Sequence, residues 1–272
     1  MSPHVSTTNS LQWLVALAVV GISLTTGRLT NADTVFSANG EFPADIATTV
    51  DDFRNALGSL NPFEPVNFGD GRRQIDWDAA PAAVSTPNSF PGDFFNFSAS
   101  PRARGIEFTT PGTGFLLSGD VDDGTPTLFT DLNANYANEF QTFSPERLFT
   151  PLGSNQVEAK FFLPSDQTTP AVVDGFGAVF TDVDTDGSTN IDFYDVNDNL
   201  LRSEVVPAGP SGYLSFLGVK FDENELFRVV ITSGNTAIGP DDNPLVGIDI
   251  VAMDDFIFGE PVPEPAAVAL LA

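Results

Sequence analysis

Apolar and polar positions along this chain follow three rhythms. The first is unbroken. Leu11-Gln12-Trp13-Leu14-Val15-Ala16-Leu17-Ala18-Val19-Val20-Gly21-Ile22-Ser23-Leu24 is too short to span a bilayer comfortably, and it gives way to the small-residue exit Leu29-Thr30-Asn31-Ala32. Residues 1–32 therefore read as a secretory signal ending near Ala32. The second rhythm is helical. Asp45 is placed to cap a segment whose Ile46, Val50, Phe53 and Leu57 share one stripe, and Gly58 ends it.

The third rhythm has period two and fills the rest of the chain. Short runs rich in Val, Ile and Phe, bounded by Gly, Pro, Asn or Asp, predict strands at 105–109, 114–118, 157–163, 172–182 and 190–195. Further runs predict strands at 201–206, 212–221, 226–232 and 247–258. Before them, Pro62, Pro65, Pro81, Pro87, Pro91 and Pro101 predict long loops around one strand, 73–77. The expected fold is all-β: an antiparallel, jelly-roll-like β-sandwich with one short N-terminal helix. Residues 33–104 are expected to pack on the sandwich as a helix and loop-rich region. Residues 105–261 form its core, and 262–272 a tail.

Composition narrows the chemistry. The chain has 272 residues, 37 acidic and 11 basic, for a formal charge of −26, which excludes nucleic acid as a natural partner. It has no cysteine, and its one histidine, His4, lies in the expected signal. A mature chain without His or Cys has no imidazole or thiol for nucleophilic catalysis and no soft ligands for zinc. Carboxylates, hydroxyls, amides and a few arginines remain. Carboxylates suit calcium and glycosidase-type chemistry.

The sharpest acidic pattern is Asp182-Val183-Asp184-Thr185-Asp186-Gly187, which matches the first half of a calcium loop, with Asp at one, three and five and Gly at six. Phe193 stands where a bidentate Glu is required, and the flanks read as strands, so the expectation is a calcium-binding hairpin loop completed from elsewhere. On a strand, Phe176, Ala178 and Phe180 share a face with Asp182 and Asp184, whose mutual repulsion a calcium ion would relieve. A solvated Asp-rich turn is the plain alternative.

The last strand supplies a complement. Asp254 aligns with Ile250, Ala252, Phe256 and Phe258, and Asp255 with Val251, Met253 and Ile257, so a carboxylate enters an apolar row whichever face is inward. Such a group needs a cation, an arginine, with Arg228 the candidate, or several backbone donors. The metal candidates are therefore Asp182, Asp184, Asp186, Asp254 and Asp255. Asp131-x-Asn133-x-Asn135 and Asp195-x-Asn197-x-Asn199 read as Asx turns. Trp77, between Asp76 and Asp78, reads as a core residue, with sugar stacking the alternative.

The tail motif Val262-Pro263-Glu264-Pro265, followed by the apolar Ala266–Ala272, resembles the sorting signal of PEP-CTERM, exosortase-sorted bacterial surface proteins. In that family a membrane helix and a basic cluster follow the motif. Here seven residues follow Pro265 with no Arg or Lys among them, so a membrane link is expected only through an anchor missing from this sequence. Gly175–Asp184, Leu214–Val219 and Gly247–Phe258 resemble sandwich motifs of the same proteins, and in outline carbohydrate-binding jelly rolls that carry structural calcium.

The resemblance implies an exported or surface-displayed protein handled by exosortase-type machinery. Its expected work is non-enzymatic binding of extracellular polysaccharide or another matrix component, with calcium stabilising its loops. Two alternatives stay open. One is a jelly-roll carbohydrate-active enzyme, drawing its paired carboxylates from Asp76, Asp78, Glu107 and Asp254. The other is a purely structural matrix protein.

Overall fold

The computed structural model describes Met1, residues 33–122 and residues 124–264. The expected signal and Pro265 of the tail motif lie outside the described residues. In chain order the elements are β1 Thr34–Gly40, α1 Pro43–Leu57, β2 Arg72–Ile75, β3 Ile106–Thr109, β4 Gly114–Leu117 and α2 Tyr136–Glu139. They continue with β5 Phe149–Leu152, β6 Gln156–Phe161, β7 Ala171–Val172, β8 Gly175–Thr181, β9 Asn190–Tyr194 and β10 Leu200–Val205. The last are β11 Leu214–Lys220, β12 Arg228–Thr232, β13 Ala252–Gly259 and β14 Val262–Pro263.

The architecture is the expected antiparallel sandwich. One sheet runs β1-β11-β8-β13-β5-β4, with β2 also pairing β13, and the other runs β10-β9-β12-β6-β3. From β8 onward the chain shuttles between them: β8 in the first, β9 and β10 in the second, then β11, β12 and β13 in alternate sheets. Period-two patterning decides what lies between them. Phe176, Ala178 and Phe180 of β8 meet Phe161 of β6, Phe193 of β9 and Ile231 of β12 in the main core. The intervening Val179 points the other way, so β8 is buried on both faces.

What covers the outer face is α1. Its stripe of Ile46, Val50, Phe53 and Leu57 packs on Val179, Leu214, Phe216 and Ile257, each buried side chain contributing about 1.5–3 kcal/mol. The seat for Phe53 is made by two facing glycines, Gly177 of β8 and Gly218 of β11. A Cβ on Gly177 would lie 2.9 Å from the Phe53 ring, and one on Gly218 3.0 Å from it.

Three local expectations are corrected. Phe42, not Asp45, is the N-cap of α1. Pro43 takes the first helical position, where no N–H is needed, and the Asp45 carboxylate accepts from the Phe42 N–H at 2.9 Å. The last strand starts at Ala252 rather than residue 247, and its register against β8 shifts between Met253 and Phe256. That bulge defeats simple alternation, so Asp254 and Asp255 are both buried. Finally, the region before residue 105 contributes β1 and β2 to the first sheet itself, and β5 had no strand signal because Pro151 interrupts it. In the tail, Val262 and Pro263 pair with Val172 and Ala171, while Glu264 follows beyond the ladder.

Candidate metal centre

Register brings the acidic residues together. Thr181, the last residue of β8, pairs with Ala252 at the start of β13 and with Leu214 at the start of β11. The loop leaving β8 and the loops entering β11 and β13 therefore meet at one rim of the sandwich. At that rim Asp182 turns out of the sheet with φ +69°, a left-handed conformation that Asp tolerates better than most residues. Its N–H donates to the Tyr213 carbonyl at 2.9 Å.

Carboxylate oxygens of Asp182, Asp184 and Asp242 lie within 4.8 Å of one another. Oxygens on a calcium coordination sphere of radius about 2.4 Å can be at most about 4.8 Å apart, so the three meet the spacing that sharing one ion requires. Asp242 comes from the loop before β13, as does Asp249, which is fully buried. The charge of Asp249 acts on both Asp184 and Asp242.

The oxygens are short of donors. Asp182 Oδ1 accepts from Ser211 Oγ at 3.0 Å and Gly212 N–H at 2.6 Å, and Asp242 Oδ1 accepts from Ile250 N–H at 2.8 Å. Asp182 Oδ2 and both carboxylate oxygens of Asp184 and of Asp249 are buried with no donor at all. Among the described residues none of these four acids has a basic side chain within 4.0 Å.

Protonation shows the strain. Burial, opposed by the Gly212 and Ser211 hydrogen bonds and reinforced by Asp242, pushes Asp182 up to about 7. Burial together with Asp242, Asp182 and Asp249 pushes Asp184 up to about 8. Burial and Asp249 also raise Asp242. A set of hard oxygen donors that can be neutralised only by protons or a cation could hold a hard metal ion.

Neighbouring loops hold this geometry. Asn133 and Asn135 donate to Asp241 Oδ1 at 2.7 and 2.8 Å, and the Tyr136 hydroxyl donates to the Pro240 carbonyl at 2.8 Å. The 131–135 motif makes the expected Asx turn, with the Asn135 N–H donating to Asn133 Oδ1 at 3.0 Å, and it also fastens the loop that presents Asp242. The 195–199 motif is such a turn, with Asn197 and Asn199 N–H groups donating to Asp195 Oδ1.

The other candidates separate from this centre. Asp186 is exposed on the turn closed by the Ser188 N–H to Thr185 carbonyl bond and by Gly187 at φ +76°. Asp254 and Asp255 belong to a different, well-partnered cluster. Asp254 Oδ2 accepts from the N–H groups of Phe143 at 2.6 Å and Ser144 at 3.2 Å. Asp255 accepts from Ser144 Oγ at 2.5 Å and from Arg54 at 2.8 Å. Arg54 thus has the place expected of Arg228, which instead pairs with Glu158 and Asp198. Burial and the Asp255 charge drive Asp254 well above the ordinary carboxylate range.

Asp78 completes that second cluster. Burial, against hydrogen bonds from the Arg147 and Glu146 N–H groups, pushes it up to about 7. Of the four carboxylates considered for glycosidase chemistry, Asp254 is sealed inside the sheet, and Glu107 alternates with the core residues Ile106 and Phe108, placing it on the outer face of β3. Trp77 is a core residue, stacked on Phe149 at 4.4 Å with its indole N–H on the Asp254 carbonyl at 2.7 Å.

No family model, curated protein or solved structure matches this chain. The site must be read from its own geometry. Asp242 and Asp249 escaped the sequence reading, although Ile248-Asp249-Ile250 is the same signal that drew attention to Asp254: a carboxylate in an apolar row.

Proposed function

We propose that this protein is an exported, non-enzymatic β-sandwich that holds a calcium ion between Asp182, Asp184 and Asp242, with the buried charge of Asp249 beside them. The ion ties the loops at that rim into one surface, which engages extracellular polysaccharide or another matrix component. One observation carries the metal part: five carboxylate oxygens of Asp182, Asp184 and Asp249 are buried without a donor. An unpaired carboxylate removed from water costs several kcal/mol, so a built cluster of them favours a divalent ion. Calcium fits better than magnesium, because the ligands are carboxylates supplied by two separate loops, and magnesium prefers to keep several waters in near-ideal octahedral geometry.

The export and matrix parts draw support from elsewhere. The strongly apolar N-terminal run and the Pro263-Glu264-Pro265 motif support export and sorting by exosortase-type machinery, and a net charge of −26 suits a protein bathed in extracellular calcium. Calorimetric titration of EDTA-stripped protein with calcium, followed by a glycan array with and without the ion, tests the reading. One-site calcium binding and calcium-dependent glycan capture are expected. Absence of binding heat removes the metal part. A blank array with the ion bound removes the polysaccharide part.

A further inference from the structure

A second site of opposite character lies on the loops between β2 and β3. A cavity of about 320 Å³ is lined by Pro81, Phe94, Phe95, Pro101, Arg102 and Arg104, so its walls are apolar except for two guanidinium groups. In a chain with 37 acidic and 11 basic residues, arginines ordinarily find carboxylates. Arg73 sits on Glu260 at 2.7 Å and Arg228 on Asp198 at 2.9 Å. Among the described residues no carboxylate comes within 4.0 Å of Arg102 or Arg104. The acids that act on them, Asp93 and Asp76, do so at longer range.

Aromatic rings take the place of counter-ions. The Arg102 guanidinium lies 4.0 Å from the Phe94 ring centre and 3.9 Å from that of Phe97, and Arg104 lies 4.0 Å from Phe63 and 4.4 Å from Phe95. Arg104 is only 3% exposed. It donates to the carbonyls of Gln74 at 2.7 Å and Pro101 at 3.3 Å, and burial lowers its pKa to about 10. Arg102 spends its Nε on the Phe94 carbonyl at 2.8 Å, while its two terminal nitrogens donate to no acceptor among the described residues. The ring stacking fixes that fork in place, ready for a planar, bidentate acceptor.

We propose that this cavity is a binding site for a small organic carboxylate with an apolar body of one or two rings. The ring would lie among Phe94, Phe95, Pro81 and Pro101, and the carboxylate on the terminal nitrogens of Arg102, with the buried charge of Arg104 adding attraction from below. The class follows from three features. The cavity volume falls at the small end of the ligand-pocket range of about 300–1,000 Å³. The apolar walls offer no partners for a sugar's hydroxyls. The surrounding charge of −26 opposes polyanions such as nucleic acid, while a single carboxylate escapes most of that repulsion. The site is independent of the metal centre.

The test is calorimetric titration of the full chain with 2-naphthoate and with its neutral isostere, 2-naphthylmethanol. Wild type is expected to bind naphthoate with a dissociation constant on the order of 0.1 mM and to prefer it to the alcohol by at least about tenfold. The Arg102→Gln variant leaves the buried Arg104 intact and is expected to bind both compounds equally. That preference is a ratio, so it reads the site even if the variant is somewhat less stable. Equal affinity of wild type for acid and alcohol, an undiminished preference in Arg102→Gln, or no binding heat at about 5 mM naphthoate would each overturn the proposal.

Discussion

Asp184 and Asp249 share one rim of the sandwich with all four carboxylate oxygens buried and without a donor, and the charge of Asp249 helps to push Asp184 up. The pH dependence follows. Asp182 at about 7 and Asp184 at about 8 are raised above the ordinary 3.8. The ion-free fold therefore binds more protons than the unfolded chain between about pH 4 and about pH 8, and its stability falls as pH rises through that window. Calcium replaces the protons and removes the fall. In EDTA the melting temperature should drop steadily across the window. Saturating calcium should raise it by roughly 5–10 °C near pH 8 and by little near pH 5. The Asp254 pair and Asp78 titrate in the same direction with or without the ion, so the difference between the two curves is the decisive quantity. A calcium-insensitive melting temperature near pH 8 would sink the metal centre.

Replacing Asp249 by Asn should act in opposite directions on the two states. Without calcium it removes a buried charge and its repulsion with Asp184 and Asp242, so the melting temperature in EDTA should rise. With calcium it removes a buried negative charge beside the ion, so affinity should fall by at least about tenfold. Asp186 is exposed on its turn, and Asp186→Asn should leave calcium affinity within about twofold. If Asp249→Asn lowers stability in EDTA and binds calcium like wild type, Asp249 is a packing residue and not part of the centre.

Strand alternation made the sandwich legible, because Phe176, Ala178 and Phe180 or Ile191 and Phe193 can satisfy their period only between two sheets. The same alternation misled at Asp254 and Asp255, where a bulge invisible in composition shifts the register. Half of the acidic centre was legible as Asp182-x-Asp184. The other half depended on knowing that β8 pairs with β13, so that a loop some sixty residues downstream, counted from Asp182 to Asp242, arrives at the same rim. Non-local pairing of this kind leaves no local pattern. The clasp of Asn133 and Asn135 on Asp241 was hidden for the same reason.

The long loop after α1 should be held by one buried ion pair. Arg73 and Glu260 are buried and bidentate, with Nε to Oε2 at 2.7 Å and Nη2 to Oε1 at 2.9 Å. Arg73 also donates to the Val66 carbonyl at 2.8 Å, and Glu260 accepts from Asn61 at 2.9 Å and from the Phe68 N–H at 3.3 Å. Glu260→Gln leaves a guanidinium buried without its counter-charge and should cost about 3–5 kcal/mol. The damage should begin locally, as faster amide exchange and proteolysis around residues 61–70 before global unfolding. A loss below about 1 kcal/mol in chemical denaturation would mean that water reaches this pair and that the loop is held by its backbone bonds alone.

The seat of α1 offers the cleanest test of packing. Gly177 and Gly218 face each other across β8 and β11, and the Phe53 ring lies over both. A methyl group at position 218 would press on Phe53 at 3.0 Å and on the Phe216 ring at 3.0 Å. Gly218→Ala should therefore destabilise by about 1–3 kcal/mol, despite the general gain expected when a strand glycine is replaced. Phe53→Leu alone opens a gap and should also destabilise. Combined with Gly218→Ala, the smaller side chain makes room for the new methyl group, so the double variant should be more stable than the sum of the two losses by about 0.5–3 kcal/mol. Strict additivity in chemical denaturation would show that the helix relaxes away from the sheet and that these two glycines do not set its height.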